Sequence, residues 1–163
     1  MAGRSSTARI GDGKGAAADD AGALDLQGYF PYRLARLAEQ VSLSVAEVYA
    51  ERFSLTRQEW RVLAALGARA EIATKEFPRL TTLDKMHVSR AMAGLEARGI
   101  VRRTSDPNDR RERIVALTPA GRALYRKIVP LALEREAKML SLLTPEEVKI
   151  LDRTMRKLST GLS

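Results

Sequence analysis

Two groups of side chains in this sequence carry the donors and charges that chemistry on an anionic partner requires. The first is Lys85, Met86, His87, Ser89 and Arg90, an ammonium, a thioether, an imidazole, a hydroxyl and a guanidinium close together. The second is Arg103, Asp109, Arg110 and Arg111, in and before the polar stretch SDPNDRRER. Cationic and hydroxyl side chains donate to phosphate oxygens, and donors near the start of a helix reach base edges in the major groove. A third set, Tyr29, Tyr32, Arg33 and Arg36 with Arg52 and Trp60, sets aromatic rings among guanidinium groups. Such a mixture suits an aromatic carboxylate or a phosphate, while packing and solvation are its plain reading. Enzyme chemistry has no comparable support. The chain has no cysteine and one histidine, so it offers no thiolate zinc site, disulfide or thiol sensor. It shows no nucleophile-base pairing, glycine-rich phosphate loop or metal-ligand spacing either, and the expectation is a non-enzyme without cofactor or metal.

The elements that must hold these residues are mostly helical. Leu34, Leu37, Val41, Val45 and Val48 recur at helical spacing and predict a helix from about Pro31 to Arg52. Thr56-Arg57-Gln58-Glu59 is a capping box that opens a second helix with Trp60, Leu63, Ala64 and Leu66, closed by Gly67. Thr74 to Leu80 reads as a short polar helix and Thr81-Thr82-Leu83 as a turn. Asp84 then caps a helix over Lys85–Arg98 that ends at Gly99. Val88, Ala91, Met92 and Leu95 form its buried stripe, which leaves the first group of donors on the outer face.

Strand signals appear only around the second group. Ile100-Val101-Arg102-Arg103 and Ile114-Val115-Ala116-Leu117 are short apolar runs flanking Asp106-Pro107-Asn108-Asp109, which is turn chemistry. Thr118-Pro119 is an N-cap with proline in the first turn, opening a long helix with Leu124, Ile128 and Leu131 and an expected kink at Pro130. Thr144-Pro145-Glu146-Glu147 is a second capping box, and the final helix carries the stripe Val148, Leu151, Met155 and Leu158.

At 163 residues the chain fits one domain, with no internal repeat. Its start, residues 1–28, is poor in large apolar side chains and reads as a disordered tail. The first 25 residues carry three positive and four negative charges, so the net charge of +8 belongs wholly to residues 26–163. That sign favours an anionic partner. No apolar run is long enough to span a membrane, and no signal-peptide core is present, so the expected location is cytoplasmic.

The runs TRQEWRVLAAL, LDKMHVSRAMAGLEARGIVRR and SDPNDRRERIVALTPAGRALY, in this order and spacing, resemble the MarR family of bacterial winged-helix regulators over roughly Tyr29 to Leu162. The resemblance implies a mainly α fold with a small β-hairpin wing: a winged helix-turn-helix over about 54–117 and dimerisation helices over about 29–52 and 118–162. It further implies a homodimer on a near-palindromic double-stranded DNA operator. Arg111 would be a minor-groove finger oriented by Asp109, and Ser89 and Arg90 contacts of the recognition helix. Pro78 departs from the family pattern inside the short supporting helix. The resemblance also implies a small anionic, often aromatic, effector. EWRVLAALG followed by LDKMHVSRA looks like the branch answering to aromatic acids or their CoA thioesters.

Plainer readings stand beside these. The arginine cluster is also what a solvated charged face looks like, with Asp106, Asp109 and Glu112 available to neutralise part of it. His87 alone reads as a surface or capping histidine, and Trp60 as a packing residue. The sequence therefore supports a ligand-responsive repressor first and a DNA-binding regulator without a small-molecule effector second.

Overall fold

The computed structural model describes residues 24–105 and 112–162. The expected tail up to residue 23, the turn Asp106–Asp109 and the basic pair Arg110 and Arg111 lie outside the described residues. The described residues fall into two units, divided between Leu37 and Ala38.

Six helices and three strands follow one another as α1 (Phe30–Phe53), α2 (Arg57–Gly67), β1 (Glu71–Ala73), a 3-10 turn (Thr74–Glu76), α3 (Phe77–Thr81), α4 (Lys85–Ala97), β2 (Val101–Ser105), β3 (Arg113–Leu117), α5 (Pro119–Leu140) and α6 (Pro145–Gly161). Their starts are set by side-chain caps that satisfy otherwise orphaned backbone N–H groups. Thr56 and Thr144 both form full capping boxes with the glutamate three residues on. Asp84 caps α4 and Thr118 caps α5, the latter accepting from the N–H of Gly121 at 3.0 Å.

The core of the second unit lies under α4. Val88, Ala91, Met92 and Leu95 are buried together with Val62, Leu63 and Leu66 of α2, Phe77 of α3, and Val115 and Leu117 of β3. Tyr49 and Ile128 bring α1 and α5 into the same cluster. α4 ends in a Schellman motif: Gly99 adopts φ +65°, its N–H donates to Glu96 O at 2.9 Å, and the N–H of Ile100 donates to Leu95 O at 2.9 Å.

The structure differs from the sequence reading in two places. Strand pairing is not confined to the wing, because β1 adds a third antiparallel strand on the far side of β3, with Ile72 opposite Val115. The short supporting helix is divided into a 3-10 turn and α3, so Pro78 falls in the first turn of α3, where its missing N–H is harmless. α5 is one helical segment with Pro130 inside it. Leu151, Met155 and Leu158 of α6 are exposed in the single chain, as are Leu34, Leu37 and Val41 of α1. Among the described residues no helix is long and apolar enough to cross a membrane.

The start of α5 is packed tightly on the end of α4. A Cβ on Gly121 would collide with the Ile100 carbonyl oxygen, whereas one on Gly161 has nothing within 4 Å. Gly121→Ala is therefore expected to lower unfolding free energy by about 1–3 kcal/mol in a urea titration, through overpacking against backbone. Gly161→Ala should be neutral or stabilising by up to about 1 kcal/mol.

Candidate DNA-binding surface

Helix α4 presents its outer face because its inner face is wholly committed to the core. Lys85, Met86, His87, Ser89 and Arg90 are all exposed. Lys85, Met86, Ser89 and Arg90 line one shallow concavity, the i, i+1, i+4, i+5 pattern of neighbours on a helix face. His87 lies beside them against the N-cap. Asp84 Oδ1 accepts the His87 backbone N–H at 2.8 Å, and Asp84 Oδ2 lies 2.8 Å from His87 Nδ1. The backbone N–H first, and the ring second, hold the Asp84 carboxyl below its ordinary range.

Two anchors fix the direction of this helix. α2 approaches so closely at Gly94 that a Cβ there would collide with Glu59 Oε1. Glu59 is the buried capping-box residue of α2, accepting the Thr56 N–H at 2.8 Å. One turn farther on, Arg98 donates to the carbonyls of Phe53 at 2.9 Å and Ser54 at 2.8 Å, tying the end of α4 to the α1–α2 turn.

The wing is built from β2 and β3, paired antiparallel with Arg103 opposite Val115 and Ser105 opposite Arg113. Its charges are partly matched within the protein. Arg103 Nε donates to Glu96 Oε2 at 2.8 Å and its Nη2 makes a second contact to the same oxygen. This bond holds the Glu96 carboxyl below its usual value and the Arg103 guanidinium above its own. Lys75 lies 3.5 Å from Glu112, and Arg113 donates to Ser105 Oγ at 2.8 Å. Arg102, by contrast, is exposed and has no acidic partner among the described residues. Asp109, Arg110 and Arg111 lie outside the described residues. Sequence reasoning missed the Glu96–Arg103 pair; its signal is an acidic residue two positions before the helix-ending Arg98-Gly99, facing the next strand.

The aromatic and basic residues expected at an effector site divide between the two units. In the first unit Tyr29, Arg33 and Arg36 are exposed, and the Arg36 guanidinium lies 5.9 Å from the Tyr32 ring centroid and donates to Gln27 at 3.0 Å. In the second, half-buried Trp60 stacks on the buried ring of Tyr49 with centroids 5.5 Å apart and packs against the core. Arg52 instead lines an open cleft of about 300 Å³ with Val48, Leu131, Arg135 and Lys138 and with two carboxylates, Glu47 and Glu134. A neighbouring hollow adds Lys127 and Phe53 to Arg52 and Leu131. Sequence reasoning also missed Lys127 and Lys138, although with Leu131 they recur along α5 at helical intervals. Arg135 is already paired with Glu47 at 3.0 Å. Among the described residues no group of three or more His, Cys, Asp or Glu side chains could hold a metal ion.

Residues 53–112 match the model of the MarR family. The HTH-type transcriptional repressor NicR of Pseudomonas putida is 33% identical over 119 residues, which cover 72% of this chain and 75% of that protein. The structure of Bordetella bronchiseptica BpsR, whose DNA binding is regulated by 6-hydroxynicotinic acid, superposes with a TM-score of 0.76 at 27% identity, covering 85% of this chain and 98% of BpsR. A MarR family regulator of Streptomyces coelicolor, solved in complex with DNA, shares the fold with a TM-score of 0.73 at 23% identity, over 80% of this chain and 87% of that one.

The Glu96–Arg103 pair makes a pH prediction. A carboxylate whose folded-state pKa is depressed contributes stability above its unfolded value and loses it as pH falls through the folded one. Glu96→Gln should therefore lower the melting temperature at neutral pH, and the difference should vanish well below the ordinary carboxylate range. Equal melting temperatures at both ends of that range would show the pair to be idle.

Proposed function

The chain belongs to the MarR family of transcriptional regulators, and from that premise we propose that it is a ligand-responsive repressor released from a near-palindromic operator by a small aromatic acid or its CoA thioester. The observation that carries the DNA-reading part is the outer face of α4, where Lys85, Met86, His87, Ser89 and Arg90 stand exposed above a buried inner stripe. A helix so held is what a major groove accepts, with its first turns against base edges. Arg102, Arg103 and the tip residues Asp109, Arg110 and Arg111 supply the wing. In this reading Arg111 enters the minor groove, where width and potential count more than base identity.

A second copy completes the reader. The exposed Leu151, Met155 and Leu158 of α6 are large apolar side chains that a solvent-facing helix has no reason to line up. Covering them with the same faces of another chain gives a twofold assembly, and two α4 helices then address two half-sites. Met155→Glu is expected to reduce the mass in solution from twice 18.0 kDa to that figure and to abolish operator binding.

The effector part rests on the cleft of Arg52, Leu131 and Lys138, where Arg135 is matched by Glu47 and Glu134 adds a second carboxylate, so that Arg52 and Lys138 are the cations this reading gives to an aromatic acid beside the apolar wall. Its support by likeness is that 6-hydroxynicotinic acid regulates DNA binding by BpsR. The CoA thioester is kept because Lys127 extends the basic lining beyond the first cleft. A regulator without effector is the second reading; it would suit a filled core at this place, and a cleft of this size favours the first.

The test is a fluorescence-anisotropy titration against the intergenic DNA upstream of the protein's own gene, at fixed salt, with a panel of aromatic acids and their CoA thioesters. Tight, salt-dependent binding abolished by one compound is the expected result; binding that none alters moves the second reading ahead, and no specific binding overturns both. Arg111→Ala should weaken binding without changing the preferred major-groove sequence. Arg90→Ala should lower the ratio of specific to non-specific affinity by roughly 5- to 150-fold, the worth of a good base contact. An unchanged ratio removes Arg90 from the reading set.

A further inference from the structure

His87 is held in a way that the helix itself does not need. One oxygen of Asp84 suffices to cap α4, and Oδ1 does so through the His87 N–H at 2.8 Å. The second oxygen engages the ring of the same residue, also at 2.8 Å. Both side chains are largely solvent-exposed, so the pair adds little to stability. What it does add is orientation, since the imidazole is fixed before any partner arrives.

It also fixes the proton. An ionised carboxylate has lone pairs and no hydrogen to give, so the hydrogen in the Oδ2–Nδ1 bond belongs to the ring. In the neutral imidazole the other nitrogen, Nε2, is then an acceptor. Among the described residues Nε2 has no hydrogen-bond partner, and of the exposed donors on α4 the nearest by helical spacing is Arg90, three residues on, with Lys85 and Ser89 farther round the same helix. An acceptor among donors on this face completes a set that can tell base edges apart. In the major groove adenine and cytosine offer an exocyclic amine, whereas guanine and thymine offer only acceptors at the corresponding positions.

Resting on the reading of α4 as the DNA-recognition helix, we propose that Asp84 locks His87 as the Nδ1–H tautomer and that His87 Nε2 thereby selects adenine or cytosine over guanine or thymine at one position of each half-site. His87 is a specificity residue and Asp84 its positioning residue. The surrounding donors then address acceptors on phosphates and on guanine, while His87 alone asks for a base that donates.

Asp84→Asn separates this role from capping. Asparagine caps a helix as well as aspartate does, so α4 is retained. Its amide nitrogen, replacing Oδ2 against the ring, donates, which leaves Nδ1 as acceptor and puts the hydrogen on Nε2. The experiment is a selection from duplexes with randomised half-sites using the full chain, its Asp84→Asn variant and its His87→Ala variant, at about pH 8, where an ordinary imidazole is neutral. The parent is expected to enrich adenine or cytosine at one half-site position by roughly 5- to 150-fold, Asp84→Asn to reverse that preference, and His87→Ala to flatten it there and nowhere else. Long-range proton-nitrogen spectra of the free proteins are expected to show Nδ1–H in the parent and Nε2–H in Asp84→Asn.

A parent ring carrying Nε2–H overturns the proposal, as does a His87→Ala selection identical to the parent's. An Asp84→Asn protein that keeps the parent's base preference despite a reversed tautomer also overturns it. If the parent enriches no sequence at all, the DNA-reading assignment of α4 falls and this inference falls with it. Parent enrichment with unresponsive variants overturns the inference alone.

Discussion

The inner face of α4 governs what its outer face can do. Met92 and Leu95 are fully buried against Val62, Leu63 and Leu66, and at interior packing density such a face cannot rotate or slide without opening voids. Truncating a residue such as Leu95 would cost about 2–5 kcal/mol, a large part of a domain's stability. The burial is reinforced at both ends, by the Asp84 cap at the start and by the Arg98 bonds to the Phe53 and Ser54 carbonyls at the finish. A reading helix needs this fixity, because hydrogen bonds to base edges tolerate only small errors in distance and angle.

Much of that frame was legible in the residues because it is local. Caps act across three residues and apolar stripes across a few turns, so Thr56, Asp84, Thr118 and Thr144, and the inner stripe of α4, could be read without knowing the fold. Features made by distant residues were not legible. β1 is three residues with no alternation of its own and exists because Ile72 finds Val115 far along the chain. Glu96 and Arg103 face each other only because the turn at Gly99 folds β2 back along the helix end. Trp60 could as well have faced a cleft as the core, and the choice was made by Tyr49 on another helix.

The apolar stripe of α6 shows a different limit. Periodicity reports that a helix has one apolar face and is silent on what covers it. Val148, Leu151, Met155 and Leu158 are spaced like the stripe of α4, yet the α6 face is exposed in the single chain and the α4 face is sealed. The same holds for the first turns of α1, whose Leu34 and Leu37 are exposed, while Val45 and Val48 farther along pack on the core. The distinction between a core and an interface is a property of volumes and neighbours, which no single helix encodes.

In the proposed reading, the second unit also offers a mechanical path between the Arg52 cleft and α4. The Thr118 hydroxyl donates to the carbonyls of Gly99 at 2.6 Å and Ile100 at 3.1 Å, and Gly121 packs directly on the latter. The start of α5 is thus fastened to the end of α4. Ile128, one turn before the cleft residue Leu131, is fully buried in the core that α4 shares. A ligand drawing Arg52 and Lys138 together would load α5 beyond this buried point, and a rigid helix turns such a load into tilt rather than compression. To matter for DNA, the two arrangements of α5 need to differ in ligand affinity by about 1–3 kcal/mol, the usual size of a coupling free energy. Neutralising one cation next to a carboxylate supplies that order of magnitude, because a charge-assisted hydrogen bond is worth about 1.5–3 kcal/mol. The cleft therefore has enough chemistry to move the equilibrium by itself, provided that both cations meet the same anion in only one of the two arrangements.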